Sequence, residues 1–180
     1  MAKKAFTIVE LIVVITILSI LLVVGVVNLR SAGTVANDEE RKTDVTNFAK
    51  ALEDYYLYGN TAASDPYYST PPNQYPNTTL FLVGGVVAQS AVSALFPNLD
   101  SNNYLAPGVS AVVNTLVMAT NATATTAGIT PQPTTSQYVY QPIASDSTLC
   151  DSSAKNCRKF YIYYKLETDS LVYQIASKNK

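Results

Sequence analysis

Two hydrophobic patterns follow one another in the first third of the chain. From Phe6 to Leu29 the side chains are apolar almost without interruption, and Glu10 is the only ionisable group among them. At about 1.5 Å of rise per residue this stretch makes a helix of about 36 Å, enough to cross a bilayer core of about 30 Å. The continuous run then gives way to a stripe. Val45, Phe48, Leu52, Tyr55 and Tyr56 fall at i, i+3, i+7, i+10 and i+11, so they share one helical face. Gly59 and Asn60 are stop signals. The spacing predicts one helix over residues 6–58, half in lipid and half packed on a head. Its length is unlike that of an ordinary globular helix.

The last part of the chain alternates instead. In "KFYIYYKLETDSLVYQIASKNK" a four-residue turn at Glu167–Ser170 sets Leu166 opposite Leu171, Tyr164 opposite Tyr173 and Ile162 opposite Ile175. One face then carries Phe160, Ile162, Tyr164, Leu166, Leu171, Tyr173 and Ile175, fit to bury against Phe48, Leu52 and Tyr55. Tyr161, Tyr163, Lys165, Val172, Gln174 and Ala176 take the other face. A slip of one residue would bury Lys165 and Gln174. "SQYVYQPI" reads as a third strand.

The middle is less regular. "AASDPYYSTPPNQYPNTT" reads as an exposed connection. Ala88, Ala91, Val92 and Leu95 predict a short helix ending near Pro97. Val109, Val112, Val113, Leu116 and Val117 also fall at helical spacing, although their β-branched content allows a strand. "NATATTAGITPQPTT" is of low complexity and reads as a loop. The fold class is α+β: a long N-terminal helix on a small antiparallel sheet.

Composition narrows the chemistry. The 180 residues suffice for one globular domain plus an anchor. His is absent, which removes the usual proton shuttle at neutral pH and the commonest metal ligand. No catalytic triad, carboxylate pair or phosphate loop is visible, so the chain is read as no enzyme and without cofactor or metal. The formal net charge is −1, so there is no general basic surface. Lys155, Arg158 and Lys159 form a small basic cluster that DNA could touch. Glu39, Glu40, Arg41, Lys42 and Asp44 allow pairs at i, i+3 or i, i+4; a solvated helix face is the main reading, a contact between subunits the other. Two acceptor-like triplets, Asn77-Thr78-Thr79 and Asn121-Ala122-Thr123, are of a kind that arises by chance in a Thr- and Asn-rich chain.

Lys3 and Lys4 precede the apolar run, which puts the N-terminus in the cytoplasm and the remainder outside. No cleavage site of the secretory type follows the run, so the helix stays with the protein. A carboxylate in hydrocarbon costs a few kcal/mol and is commonly partnered. Glu10 either snorkels at the interface near the positive end of its helix or meets a cation.

"KKAFTIVELIVVITIL" resembles the class III signal and N-terminal helix of type IV pilins and their pseudopilin relatives. The resemblance implies a leader of residues 1–5 and a cytoplasmic-side prepilin peptidase cutting between Ala5 and Phe6. It implies N-methylation of the new Phe6 amine, and pairing of Glu10 with the Phe6 amine of an adjacent subunit. Two departures stand: Ala5 occupies a place usually held by Gly, and Val27 stands where many pilins carry a helix-breaking Pro, leaving Gly25 as the nearby weak point. Loss of Lys3 and Lys4 with the leader leaves ten basic against thirteen acidic side chains.

In this scheme residues 6–29 are the transmembrane and filament-core helix. Residues 30–58 are its soluble half, 59–135 a variable connecting region with short helices, and 136–180 the sheet. Cys150 and Cys157 enclose "DSSAKN". Outside the cytoplasm a disulfide is the favoured state, with free thiols as the alternative. The loop resembles the cysteine-closed loop near the end of many pilins, though here it precedes the last hairpin.

The expected function is a structural subunit of a type IV pilus, made in the membrane and assembled into an extracellular filament that serves adhesion, twitching motility or DNA uptake. Its partners would be identical or related pilin subunits, prepilin peptidase, an assembly platform and, before assembly, membrane lipid. The alternatives are a pseudopilin of a type II secretion or competence machine, and a single-pass membrane-anchored binding protein.

Overall fold

The computed structural model describes residues 7–60, 71–109 and 115–179. The chain divides into two units, Met1–Ala36 and Asn37–Lys180. Helix α1 (Ile8–Tyr58) supplies the first unit and opens the second.

In the first unit every large apolar side chain from Ile8 to Val26 is exposed, between 42% and 78%. A helix hydrophobic all round in this way has no place in water, and α1 is long and apolar enough to cross a membrane. Its two hydroxyls there are satisfied internally: Thr16 donates to the Val13 carbonyl at 2.8 Å and Ser19 to that of Ile15 at 2.7 Å. Such back-bonding removes the need for water.

The second unit is built on a four-stranded sheet of β3 (Leu116–Met118), β4 (Tyr138–Ala144), β5 (Cys157–Lys165) and β6 (Val172–Ala176), in that order. A separate hairpin, β1 (Leu82–Val83) and β2 (Val86–Val87), turns through Gly84 and Gly85 at φ 63° and 84°, the positive values a two-residue hairpin turn requires. Helix α2 (Gln89–Leu95) follows. At the end of α1, Gly59 takes φ 66° and donates its N–H to the Tyr55 carbonyl at 2.8 Å, which closes the helix.

The β5–β6 register is the expected one, with Ile162 opposite Ile175 and Tyr164 opposite Tyr173. "SQYVYQPI" does form β4, antiparallel to β5. Pro142 sits in β4 without breaking it. Its carbonyl points away from β5, accepting from the Cys150 N–H at 2.9 Å, and β3 pairs only as far as Tyr140. The missing N–H therefore falls where no ladder bond is due.

One core joins helix and sheet. Val45, Phe48, Leu52 and Tyr55 of α1 cluster with Tyr140, Phe160, Ile162, Tyr164 and Leu166. Phe48 meets Phe96 edge-on at 5.6 Å and Tyr140 at 6.1 Å between ring centroids, geometries that add about 0.5–1.5 kcal/mol each beyond burial.

Three expectations are corrected. Leu116 and Val117, at helical spacing with Val109 although a strand was also allowed, lie in β3, paired with β4; Val112 and Val113 lie outside the described residues. Strand β3 is parallel to β4, so the sheet is mixed rather than wholly antiparallel; the segment between the two strands is long enough for the crossover that parallel pairing needs. Finally, the hairpin's faces divide differently. Leu171 is 59% exposed, while Tyr163 is fully buried. The loop read as low-complexity covers that second face. Ile129 and Ala119 pack with Val139 and Tyr163, and the buried Gln141 bonds the Asn121 carbonyl at 2.8 Å and the Tyr163 hydroxyl at 2.9 Å.

Phe48→Ala is expected to destabilise the second unit by roughly 3–5 kcal/mol. Urea unfolding of the full chain in detergent, followed by near-UV circular dichroism, checks this. A loss within error of zero would mean that the helix stripe is not the core.

Candidate functional site

The start of α1 is held by two residues. The Thr7 carbonyl accepts from the Leu11 N–H at 3.3 Å, as a capping residue's does. The Thr7 N–H and hydroxyl both donate to Glu10 Oε2 at 2.8 Å, and the Glu10 N–H donates to Thr7 Oγ1 at 3.2 Å. This reciprocal pair is a capping box, which satisfies two of the four donors a helix start leaves open. Sequence reasoning took up Glu10 but missed Thr7, although a Thr followed three residues later by Glu before an apolar run is the signature of this cap. Ala5 and Phe6 lie outside the described residues.

A second polar site lies where α1 meets the hairpin turn. Arg41 is 1% and Asp38 2% exposed. The Arg41 guanidinium donates to Asp38 Oδ1 at 2.9 Å, to Glu167 Oε1 and, through Nε, to the Thr135 carbonyl at 2.8 Å. The Asp38 carboxylate also accepts from the Glu167 N–H at 2.8 Å, the Thr168 N–H at 3.0 Å and the Thr168 hydroxyl at 2.7 Å. The reading of this stretch as a solvated face is therefore corrected for Arg41 and Asp44, which are buried, while Glu40 and the Lys42–Glu39 pair keep that character. The signal was present. Running the stripe Leu52, Phe48, Val45 back by alternate steps of four and three lands on Arg41 and then Asp38.

Two acids on this face respond to burial in opposite ways. Burial pushes Asp38 up, but the bonds from Glu167, Thr168 and Arg41 together outweigh it and hold the carboxyl below its usual range. Asp44 is also buried and accepts from the Tyr138 hydroxyl at 3.1 Å. Burial pushes it up to about 6, against the lowering effect of that one bond.

Cys150 and Cys157 are joined in a disulfide with a Cα–Cα distance of 5.6 Å. Their carbonyls accept from the Thr78 and Tyr75 N–H groups, both at 3.0 Å, so the closed loop holds the connecting region to the sheet. Asn77 caps the turn Thr78–Phe81 by accepting from the Thr79 and Leu80 N–H groups, and Asn121 bonds Gly128 and Thr130. The two triplets are thus built on side chains that the fold uses. The basic cluster divides: Lys155 pairs with Asp151 at 2.8 Å, whereas Arg158 leans on Tyr56 and Asn73. Among the described residues no group of acids or cysteines could hold a metal ion.

Residues 1–26 match the family model described as the prokaryotic N-terminal methylation motif. No curated protein and no solved structure matches the chain.

The two buried acids generate opposite pH dependences. Asp38, depressed when folded, contributes stability above its unfolded value of about 3.8 that is lost as pH falls through the folded one. Asp44, raised when folded, contributes most below 3.8 and loses that contribution as pH rises through about 6. Asp44→Asn is accordingly expected to stabilise the chain at pH 7 by roughly 2–3 kcal/mol, a difference that closes as pH falls towards the unfolded value. Asp38→Ala, which leaves Arg41 buried with less compensation, should cost roughly 3–5 kcal/mol at pH 7. Urea unfolding of both variants across acid and neutral pH measures this, and an unchanged Asp44→Asn profile would remove the strain assigned to Asp44.

Proposed function

We propose that this chain, whose N-terminal methylation motif is the class III prepilin signal of type IV pilins and pseudopilins, is a structural subunit of an extracellular type IV pilus. The observation that carries the reading is the apolar surface of Ile8–Val26 headed by a single carboxylate at Glu10. The prepilin signal and the long apolar helix fit membrane anchoring before assembly. Peptidase then removes residues 1–5, the Phe6 amine is methylated, and the helices pack together with the heads outward.

The capping box bears on how Glu10 acts. A cut between Ala5 and Phe6 leaves the Phe6–Thr7 peptide intact, so the Thr7 N–H that Glu10 holds survives it. Among the described residues, the hydrogen bonds accepted by the carboxylate all use Oε2. Oε1 is left to receive the Phe6 ammonium of a neighbouring subunit. Helix packing from lipid brings little hydrophobic gain, because lipid tails are as apolar as the side chains they would give up. A charge pair in that medium is correspondingly decisive for the axial stagger.

Two variants separate the cap from the charge. Glu10→Gln keeps a residue type that closes a capping box and removes the negative charge; Glu10→Leu removes both. Both are expected to enter the membrane, to be cleaved, and to yield no sheared filaments by electron microscopy. Normal filaments from Glu10→Gln would leave Glu10 with the capping role alone. Mass spectrometry of the surface form should find a chain starting at Phe6 and heavier by one methyl group. A chain starting at Met1 would reduce the protein to a plain membrane anchor. Long fibres composed mainly of this chain distinguish a pilus subunit from a pseudopilin.

A further inference from the structure

A polar cleft of about 410 Å³ opens beside the start of β5, lined by Tyr56 of α1, Ser145 and Ser147 of the turn after β4, and Arg158 and Lys159. Its character runs against that of the chain, which is slightly acidic overall. Two adjacent cations face into it, and the lining includes no carboxylate. Among the described residues neither cation is neutralised: Arg158 bonds the neutral Tyr56 hydroxyl at 3.2 Å and the Asn73 carbonyl at 3.3 Å, and neither Arg158 nor Lys159 lies within ion-pair distance of an acid. The acid between the two lining serines, Asp146, is turned back on its own loop, where it accepts from the Thr148 N–H at 3.0 Å and its hydroxyl at 2.7 Å.

We propose that this cleft binds the phosphate group of a phosphate ester. A guanidinium held in place by two neutral acceptors, a free ammonium and two hydroxyls supply donors from several directions, as a tetrahedral oxyanion requires. Guanidinium in particular matches phosphate through paired N–H donors. The volume lies in the range of small-molecule sites, so the cleft has room for the group that carries the phosphate. Lys155, the third member of the cluster read from the sequence, takes no part because Asp151 neutralises it. This inference concerns the head alone and does not rest on filament assembly.

The test titrates the full chain in detergent micelles with inorganic phosphate and, separately, with a labelled short oligothymidylate. Binding is read by calorimetry and by fluorescence anisotropy. Lys159 is exposed and, among the described residues, pairs with no acid, so Lys159→Gln leaves the fold alone and serves as the clean variant. It should weaken binding about tenfold or more, the loss of one charge-assisted hydrogen bond. Arg158→Gln should do the same, with circular dichroism checking that the Tyr56 and Asn73 contacts have not been lost with the fold. Lys155→Gln should bind as the parent does. Two phosphate contacts predict a salt slope of about −1.4 for the oligonucleotide. Binding of both probes assigns the cleft to the phosphate group wherever it occurs, and binding of the oligonucleotide alone, lost in Lys159→Gln, assigns it to a polymeric ester. No binding of either probe, or equal losses in Lys155→Gln and Lys159→Gln, would overturn the proposal.

Discussion

An α-helix satisfies its own backbone, and that property is what lets one segment serve two surroundings. Between its first and last turns the N–H and C=O groups of α1 are bonded along the helix itself, so there the side chains alone decide what the helix lies against. From Ile8 to Val26 they offer hydrocarbon in all directions; from Asp38 to Tyr55 they offer one buried face. Only the two ends need outside help. Thr7 and Glu10 supply it at the start, and a glycine at positive φ supplies it after Tyr58. The cap at the start has a further consequence. Donors left open in hydrocarbon would cost several kcal/mol each, so an acid at this position suits the helix before any partner arrives.

Where the second half of α1 meets the sheet, charge replaces hydrocarbon on the buried stripe. A buried ion pair does little for stability against well-packed apolar residues. Its use here is directional. Asp38 takes two backbone N–H groups from the β5–β6 turn, and Arg41 takes a carbonyl from the segment before β4. Apolar packing tolerates sliding, whereas these bonds fix a turn and a loop to one place on the helix. Asp44, one turn beyond Arg41, has the Tyr138 hydroxyl as its hydrogen-bond donor; one such bond does not outweigh burial there, whereas the several bonds to Asp38 do.

Much of this was legible in the sequence, for physical reasons that can be named. The two periods of α1, the hairpin register and the short helix before Pro97 rest on local spacing, which the chain states directly. The parallel strand β3 was not legible, because three residues carry too little period to separate strand from helix and its partner lies far away in sequence. The buried face of Tyr163 was hidden for a related reason: a loop of Thr, Ala and Asn gives no local sign that it lies over a sheet, and only Ile129 among its residues has the bulk to fill the gap. Asp38 and Arg41 sit on the core period of α1, but charges between two apolar stretches read as solvent-facing, and the period alone does not tell a buried charge from an exposed one. Of the acids and bases singled out, Glu10 was recognised by its isolation. Thr7 and Asp38 also lie at legible spacings, but the partners each holds come from the fold.

The distribution of charge also constrains how such a chain could recognise a neighbour. Ionisable groups are few, and several of those nearest α1 are turned inward: Asp38, Arg41, Asp44 and Glu167 bond within the head, and Glu53 holds Tyr75 and the chain's last residues. A subunit that leaves lipid for a protein filament gains little from its apolar side chains, because it exchanges one hydrocarbon surface for another. Discrimination then falls to whatever polar groups remain unsatisfied at the contact. Within the apolar half of α1 the hydroxyls of Thr16 and Ser19 are already closed on their own backbone. Among the described residues no hydrogen bond reaches the second oxygen of Glu10, and on the proposed reading it is the atom through which a neighbouring helix would be held at one stagger.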